Sequence, residues 1–249
     1  MGAWDVLLLL VAGVAGGLTG SIAGLASLTT YPALLAVGLP PVTANVTNTV
    51  ALVANSIGSV SGSRPELVGQ RARIVRLGAA GLAGGIAGGV LLLLTPAGSF
   101  ERIVPFLIAL GSATILVERR PDVAVDRPHV DPHLLPLGVF VIGVYGGYFG
   151  AAAGVLMLAL LLAALPETLP RCNGLKNVLM GGANAVAAIL FVVVGRIDWT
   201  AALPLAAGLF LGGRVGPVVV RHSPARVLRV LIALGGLGLA VYLGVKAYG

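Results

Sequence analysis

Two short clusters of amide, hydroxyl and ammonium groups interrupt an otherwise apolar chain. In TANVTNTVALVANS, Asn45, Asn48 and Asn55 fall at i, i+3 and i+10, close to one face of a helix, with Thr47 and Thr49 beside them. In RCNGLKNVLMGGAN, Asn173, Lys176, Asn177 and Asn184 fall at i, i+3, i+4 and i+11, again on one face. Amides and hydroxyls are costly in hydrocarbon unless paired, so both faces should turn inward. Such groups could donate hydrogen bonds to a small polar solute, or they could simply bond helix to helix. Lys176 is the most pointed of them. No acidic residue lies near it in the helical register, so its ammonium calls for an anion, or for water at the membrane boundary if it snorkels.

Glycine-rich stretches precede both clusters. Gly20, Gly24 and Ser27 mark one, and Gly146, Gly147, Gly150 and Gly154 the other. Broken helices in transporters aim N-terminal N–H groups at anionic substrate groups, and small residues permit close backbone approach. Gly24 and Gly150 are therefore candidates for a substrate-binding turn. Gly81, Gly85 and Gly89, with Gly84 and Gly88, are spaced for helix packing.

The elements carrying these groups occur twice. Gly16 to Ser59 and Gly143 to Asn184 share one order: glycine-rich segment, apolar run, proline, then a helix opening with polar residues. A shift of roughly 125 to 126 residues superposes Pro40 on Pro166 and Asn48 on Asn173. Of the 249 residues 57% are hydrophobic and only 10% charged, too few to cover a water-facing surface, so lipid is the solvent. Apolar stretches at 5–22, 27–39, 42–62, 74–95 and 102–117 are followed by 134–149, 151–165, 172–194, 200–220 and 227–247. Lipid demands internally satisfied backbone, and alternating segments of a β-barrel do not occur, so the spans are helices. The expected organisation is a first transmembrane repeat over 1–117, a cytoplasmic linker over 118–133 and a second repeat over 134–249.

Loop charge predicts the threading. Arg64, Arg71, Arg73 and Arg76 crowd the loop at 63–76, whereas its counterpart at 195–199 holds Arg196 alone. The pattern then reverses, with Arg102 alone at 96–102 and Arg214, Arg221, Arg226 and Arg229 at 213–229. Positive loops stay in the cytoplasm, so the halves insert in opposite senses. Keeping 213–229 inside requires 134–149 and 151–165 to form a hairpin, either two short spans or a re-entrant pair. The predicted fold is all-α: a polytopic transmembrane bundle of two inverted repeats, each a short hairpin plus three transmembrane helices.

Other functions fare poorly. The net charge of +7 resides in loop arginines, which argues against a nucleic-acid partner. Cys172 is the only cysteine, and Asp122, Asp126 and Asp131 are too scattered for a metal, so no metal or other cofactor is expected. Ser59 lies in GSVSG, but His129, His133 and His222 all fall in polar loops, leaving a serine nucleophile no base at membrane depth. Trp4, Asp198, Trp199 and Arg171 read as interfacial anchors.

With these residues in view, the chain resembles the sulfite exporter TauE/SafE family of bacterial small-anion permeases over nearly its whole length. The resemblance rests on PALLAVGLPPVTANVTNTVAL, NSIGSVSGSRPEL and RCNGLKNVLMGGANAVAAILF. It implies transport of small sulfur-containing or carboxylate-bearing anions, such as sulfite, sulfoacetate or other sulfonates, across the inner membrane of a bacterium. It also implies binding roles for Thr47 and Asn48 in one half and for Asn173 and Lys176 in the other. The family's glycine hairpins often run on to a proline, which 150–158 lacks.

The expectation is a multi-pass transporter with a midplane site. Lys176 offsets the substrate's charge, and Thr47, Asn48, Asn173 and Asn177 donate hydrogen bonds. A passive anion channel, an intramembrane enzyme and a non-transporting assembly subunit are the rivals. No acidic residue lies deep in a span to relay protons, so uniport and coupling to a proton or ion both stay open. Glycine faces would serve a homodimer or internal packing alike.

Overall fold

A computed structural model describes residues 1–116, 134–194 and 197–222, with isolated positions at 238, 241, 244 and 245. The expected linker, Arg226, Arg229 and all of the final apolar stretch but those isolated positions therefore lie outside the described residues. Among the described residues the first half comprises α1 (Ala3–Ala23), α2 (Ala26–Ala36), α3 (Pro41–Gly62), the single turn α4 (Arg64–Leu67), α5 (Arg71–Leu94) and α6 (Ala97–Leu116). The second comprises α7 (Leu135–Tyr148), α8 (Ala153–Ala164), α9 (Leu169–Val194) and α10 (Trp199–His222). The described structure is all helix and turn, a polytopic helical bundle.

Helices α1, α5, α9 and most of α10 are long and apolar enough to cross a membrane. The return arms are not. At 11 and 12 residues, α2 and α8 reach only about 16 to 18 Å, roughly half a hydrocarbon core of about 30 Å. The first arms differ in length, 21 residues in α1 and 14 in α7. Two further differences from the sequence reading are local. The predicted 213–229 loop is helical as far as His222, and the single turn α4 fills part of the 63–76 loop.

Glycines set the helix directions by letting backbones touch. Gly13 and Gly17 of α1 meet Leu205 and Leu209 of α10, while Gly58 and Gly62 of α3 meet Phe210 and Arg214. So α1, α3 and α10 run in one sense. Gly84 and Gly88 of α5 meet Phe140 and Val144 of α7, and Gly85 and Gly89 meet Ala183 and Ala187 of α9. In contrast, Gly174 and Gly181 of α9 meet Ser63 and Ser56 of α3 in antiparallel order. Hence α5, α7 and α9 run the opposite way. Each element opposes its counterpart: α1 against α7, α3 against α9, and α10 against α5. This is the inverted repeat, and it is interlocked, because the first arm of each hairpin packs on a long helix of the other half, α1 on α10 and α7 on α5. Among the described residues, Gly81, Gly84, Gly85, Gly88 and Gly89 of α5 each pack against α7 or α9.

The outer surface is apolar, with Trp4, Val11, Leu94, Val193 and Leu203 exposed, as lipid contact requires.

Candidate functional site

The two hairpin tips meet at the centre. Gly24 ends α1 in the left-handed region at φ 78°, and Gly150 follows α7 at φ 73°. A Cβ on Gly24 would collide with the Gly154 backbone, so only glycine allows both the turn and the contact. Beside this contact lies a cavity of about 50 Å³. Its wall is shared between α3, through Leu52, Asn55, Ser56 and Ser59, and α9, through Lys176, Asn177, Met180 and Asn184. The register of roughly 125 residues that pairs Asn48 with Asn173 also pairs Leu52 with Asn177, Asn55 with Met180 and Ser59 with Asn184. Equivalent faces of the two repeats thus line one cavity. The hairpins complete it with Gly20, Gly24, Ala26, Ser27, Gly150 and Gly154.

Lys176 is 1% exposed, and its ammonium donates to the carbonyls of Gly20 at 3.0 Å and Ser21 at 3.2 Å. These carbonyls belong to the last turn of α1, where the helix dipole favours a cation. The first turn of α2, with Ala26 and Ser27, contributes the opposite end of a helix to the same wall. Asn55 Oδ1 is buried with no hydrogen-bond partner among the protein atoms.

Of the residues expected at a substrate site, Lys176, Asn177, Gly24 and Gly150 are brought to the cavity. Asn48, Asn173 and Thr47 are not. Asn48 stands one layer behind, donating to Ser27 Oγ at 3.2 Å and accepting from Thr30 Oγ1 at 2.5 Å. Asn173 donates to the Ser21 carbonyl at 2.9 Å, the same oxygen that receives Lys176. It braces the acceptor of the ammonium. Thr47 Oγ1 accepts from the Asp198 backbone N–H at 3.1 Å, away from the cavity. The single asparagine face expected on α3 is therefore divided: Asn45 binds the Tyr148 carbonyl of α7, Asn48 faces α2, and only Asn55 reaches the cavity. Ser56 was not singled out in the sequence. Its signal was the helical spacing from Leu52 and Ser59, which hydrophobic patterning alone does not reveal.

Of the expected anchors, Trp4 and Trp199 are exposed. Arg171 is instead held by Glu167 and the Val68 carbonyl. Asp198 caps α10 through Thr200 Oγ1 and the Ala201 N–H, and these hydrogen bonds, the Thr200 one foremost, hold its carboxyl below the usual range. A second hollow, lined by Phe140, Val141, Val144, Tyr145, Tyr148 and Leu91, is apolar and offers a charged solute no counter-charge. Among the described residues no group of His, Cys, Asp and Glu could hold a metal ion.

A helical membrane bundle whose opposed halves together line one cavity bearing Lys, Asn and Ser side chains has the architecture of a membrane transporter. The chain belongs to the sulfite exporter TauE/SafE family, whose model matches residues 8–243. It is similar to the "Probable membrane transporter protein YfcA" of Escherichia coli, 26% identical over 223 residues that cover 88% of this chain and 81% of the relative. It is likewise 27% identical over 238 residues to the "Probable membrane transporter protein ORF9" of Sinorhizobium sp, covering 94% of this chain and 90% of that one. A "Probable membrane transporter protein" of Haemophilus influenzae is 28% identical over 224 residues, 86% of this chain and 84% of the relative. No solved structure gives a significant match.

Proposed function

We propose that this transporter carries a small oxyanion, sulfur-containing as in sulfite or a short sulfonate, across a bacterial inner membrane by alternating access. The observation carrying the reading is the Lys176 ammonium, buried on the wall of a cavity where both repeats meet. Its positive charge and the N–H groups opening α2 favour an anion over a neutral or cationic solute. Asn177, Asn55 and Ser59 would orient the solute's oxygens, with Asn173 and Asn48 bracing the groups they touch. Size points the same way. A cavity of about 50 Å³ holds only about three to five water molecules, so the cargo has few non-hydrogen atoms. Rocking of the interlocked halves about the Gly24–Gly154 contact would expose the cavity to each side in turn. The family's name, sulfite exporter, supports both the anion and its outward direction.

The test is sulfite flux into proteoliposomes. Lys176→Met should lower it by about a hundredfold, as expected when a buried charge partner of the substrate is removed. Flux at the unsubstituted rate would take Lys176 out of the mechanism. Uptake that fails to saturate, or that other anions do not compete, would make the protein a channel.

A further inference from the structure

We propose that Glu167 is the release point of an ionic gate sealing the arginine-rich end of the transport path, a positioning residue whose unclasping exposes the cavity to that side. The inference rests on the alternating-access reading above. Glu167 lies in the turn between α8 and α9, and its carboxylate takes two guanidinium groups from opposite halves. Arg73 Nη1 of α5 reaches Oε1 at 2.5 Å, and Arg171 Nε of α9 reaches Oε2 at 2.6 Å. Around this pair the halves are stitched further. Arg171 Nη2 donates to the Val68 carbonyl at 3.2 Å, and Gln70 Nε2 donates to the Arg171 carbonyl at 3.1 Å.

Beneath the clasp, Asn177 Nδ2 bonds Ser63 Oγ at 3.3 Å, and Asn177 already lines the cavity. A solute moving between the cavity and this face must part these contacts. Neutralising Glu167 would not merely remove attraction, because it would leave two guanidinium groups facing each other across the seam.

The duplicated scaffold provides a control. With the register of roughly 126 residues that superposes Pro40 on Pro166, Glu167 corresponds to Pro41, Arg171 to Asn45 and Arg73 to Trp199. No carboxylate–arginine triad occupies those positions, and there the halves are tied by the neutral bond from Asp198 N–H to Thr47. Among the described residues the equivalent positions carry no ionic clasp, so its presence at one end points to a role specific to that end.

Cys172, the chain's single cysteine, reports on the seam directly. It is 1% exposed and its Sγ lies 3.9 Å from the Glu167 carbonyl. Maleimide labelling of the full-length protein in proteoliposomes, without substrate, should be about tenfold faster in Glu167→Gln, the population shift expected from weakening both charge-assisted contacts of the carboxylate. Glu167→Asp should restore slow labelling, and Asp198→Asn, at the other end, should leave the rate unchanged. Should Glu167→Gln fail to fold, Arg73→Gln should speed labelling in the same direction. Labelling of the folded variant at the unsubstituted rate would overturn the gate, as would equal acceleration by Asp198→Asn. Sulfite flux measured alongside separates the two readings. Lost anion specificity with the labelling pattern intact would sink the substrate and leave the gate standing.

Discussion

The two ends of this bundle are built from the same repeated elements and closed by opposite chemistry. At one end Arg73, Glu167, Arg171, Gln70 and Val68 join the halves through charge and backbone carbonyls. On the other side of the cavity the seam is aromatic. Tyr31 meets Phe149 edge-on at 5.2 Å, and Phe100 packs against Tyr148 at 5.8 Å and Phe149 at 5.9 Å, all of them buried. The counterpart of Tyr31 in the second half is Met157, so duplication did not preserve the seam. Inverted repeats make the two ends equivalent in backbone only, and side chains decide how firmly each one closes. An ionic seam yields to charge and salt, whereas an aromatic one yields to loss of contact area.

The largest effect that could break this contrast is Phe100→Ala. It deletes a fully buried ring from the aromatic seam and should lower thermal stability in detergent by about 3–5 kcal/mol. Cys172 labelling, at the other end, should stay slow. Accelerated labelling would mean the ends open together.

A pH series sharpens the ionic side. The hydrogen bond from Arg73, then that from Arg171, holds the Glu167 carboxyl below its ordinary value of 4.5. A lowered folded-state value means stability that is present above the unfolded value and lost as pH falls through the folded one. The difference in melting temperature between the native chain and Glu167→Gln should therefore be constant from about pH 5 to pH 8 and shrink only in stronger acid. A gap that closes near neutrality would contradict the clasp. The smallest effect is expected from Thr47→Val. It removes the acceptor for the Asp198 N–H and should cost about 0.5–1 kcal/mol of thermal stability, with sulfite flux retained.

Much of this was legible without coordinates. Apolar length marked the helices, and the arginine-bearing loops announced opposed halves, because lipid enforces helical backbone and charge asymmetry is local in sequence. The hairpin glycines and Lys176 also stood out, since a cation or a glycine pair inside an apolar run is conspicuous wherever it falls. Asn48 and Asn55 were less separable. Both satisfy the same helical face, yet one braces Ser27 and the other reaches the cavity. A helical wheel resolves direction but not depth, and depth is set by whatever packs alongside.

The sequence alone determined the class of this protein: an apolar, duplicated, helical chain threaded through lipid, with a positive charge and amides held at two matching places. Tertiary structure decided which of those groups reach the cavity and how the halves are tied at each end. Gly24 meets Gly154, Arg73 meets Glu167, and Asn173 meets Ser21 across separations of about a hundred residues or more. No local pattern encodes such pairings, because they arise only when long-range packing brings the two halves into register.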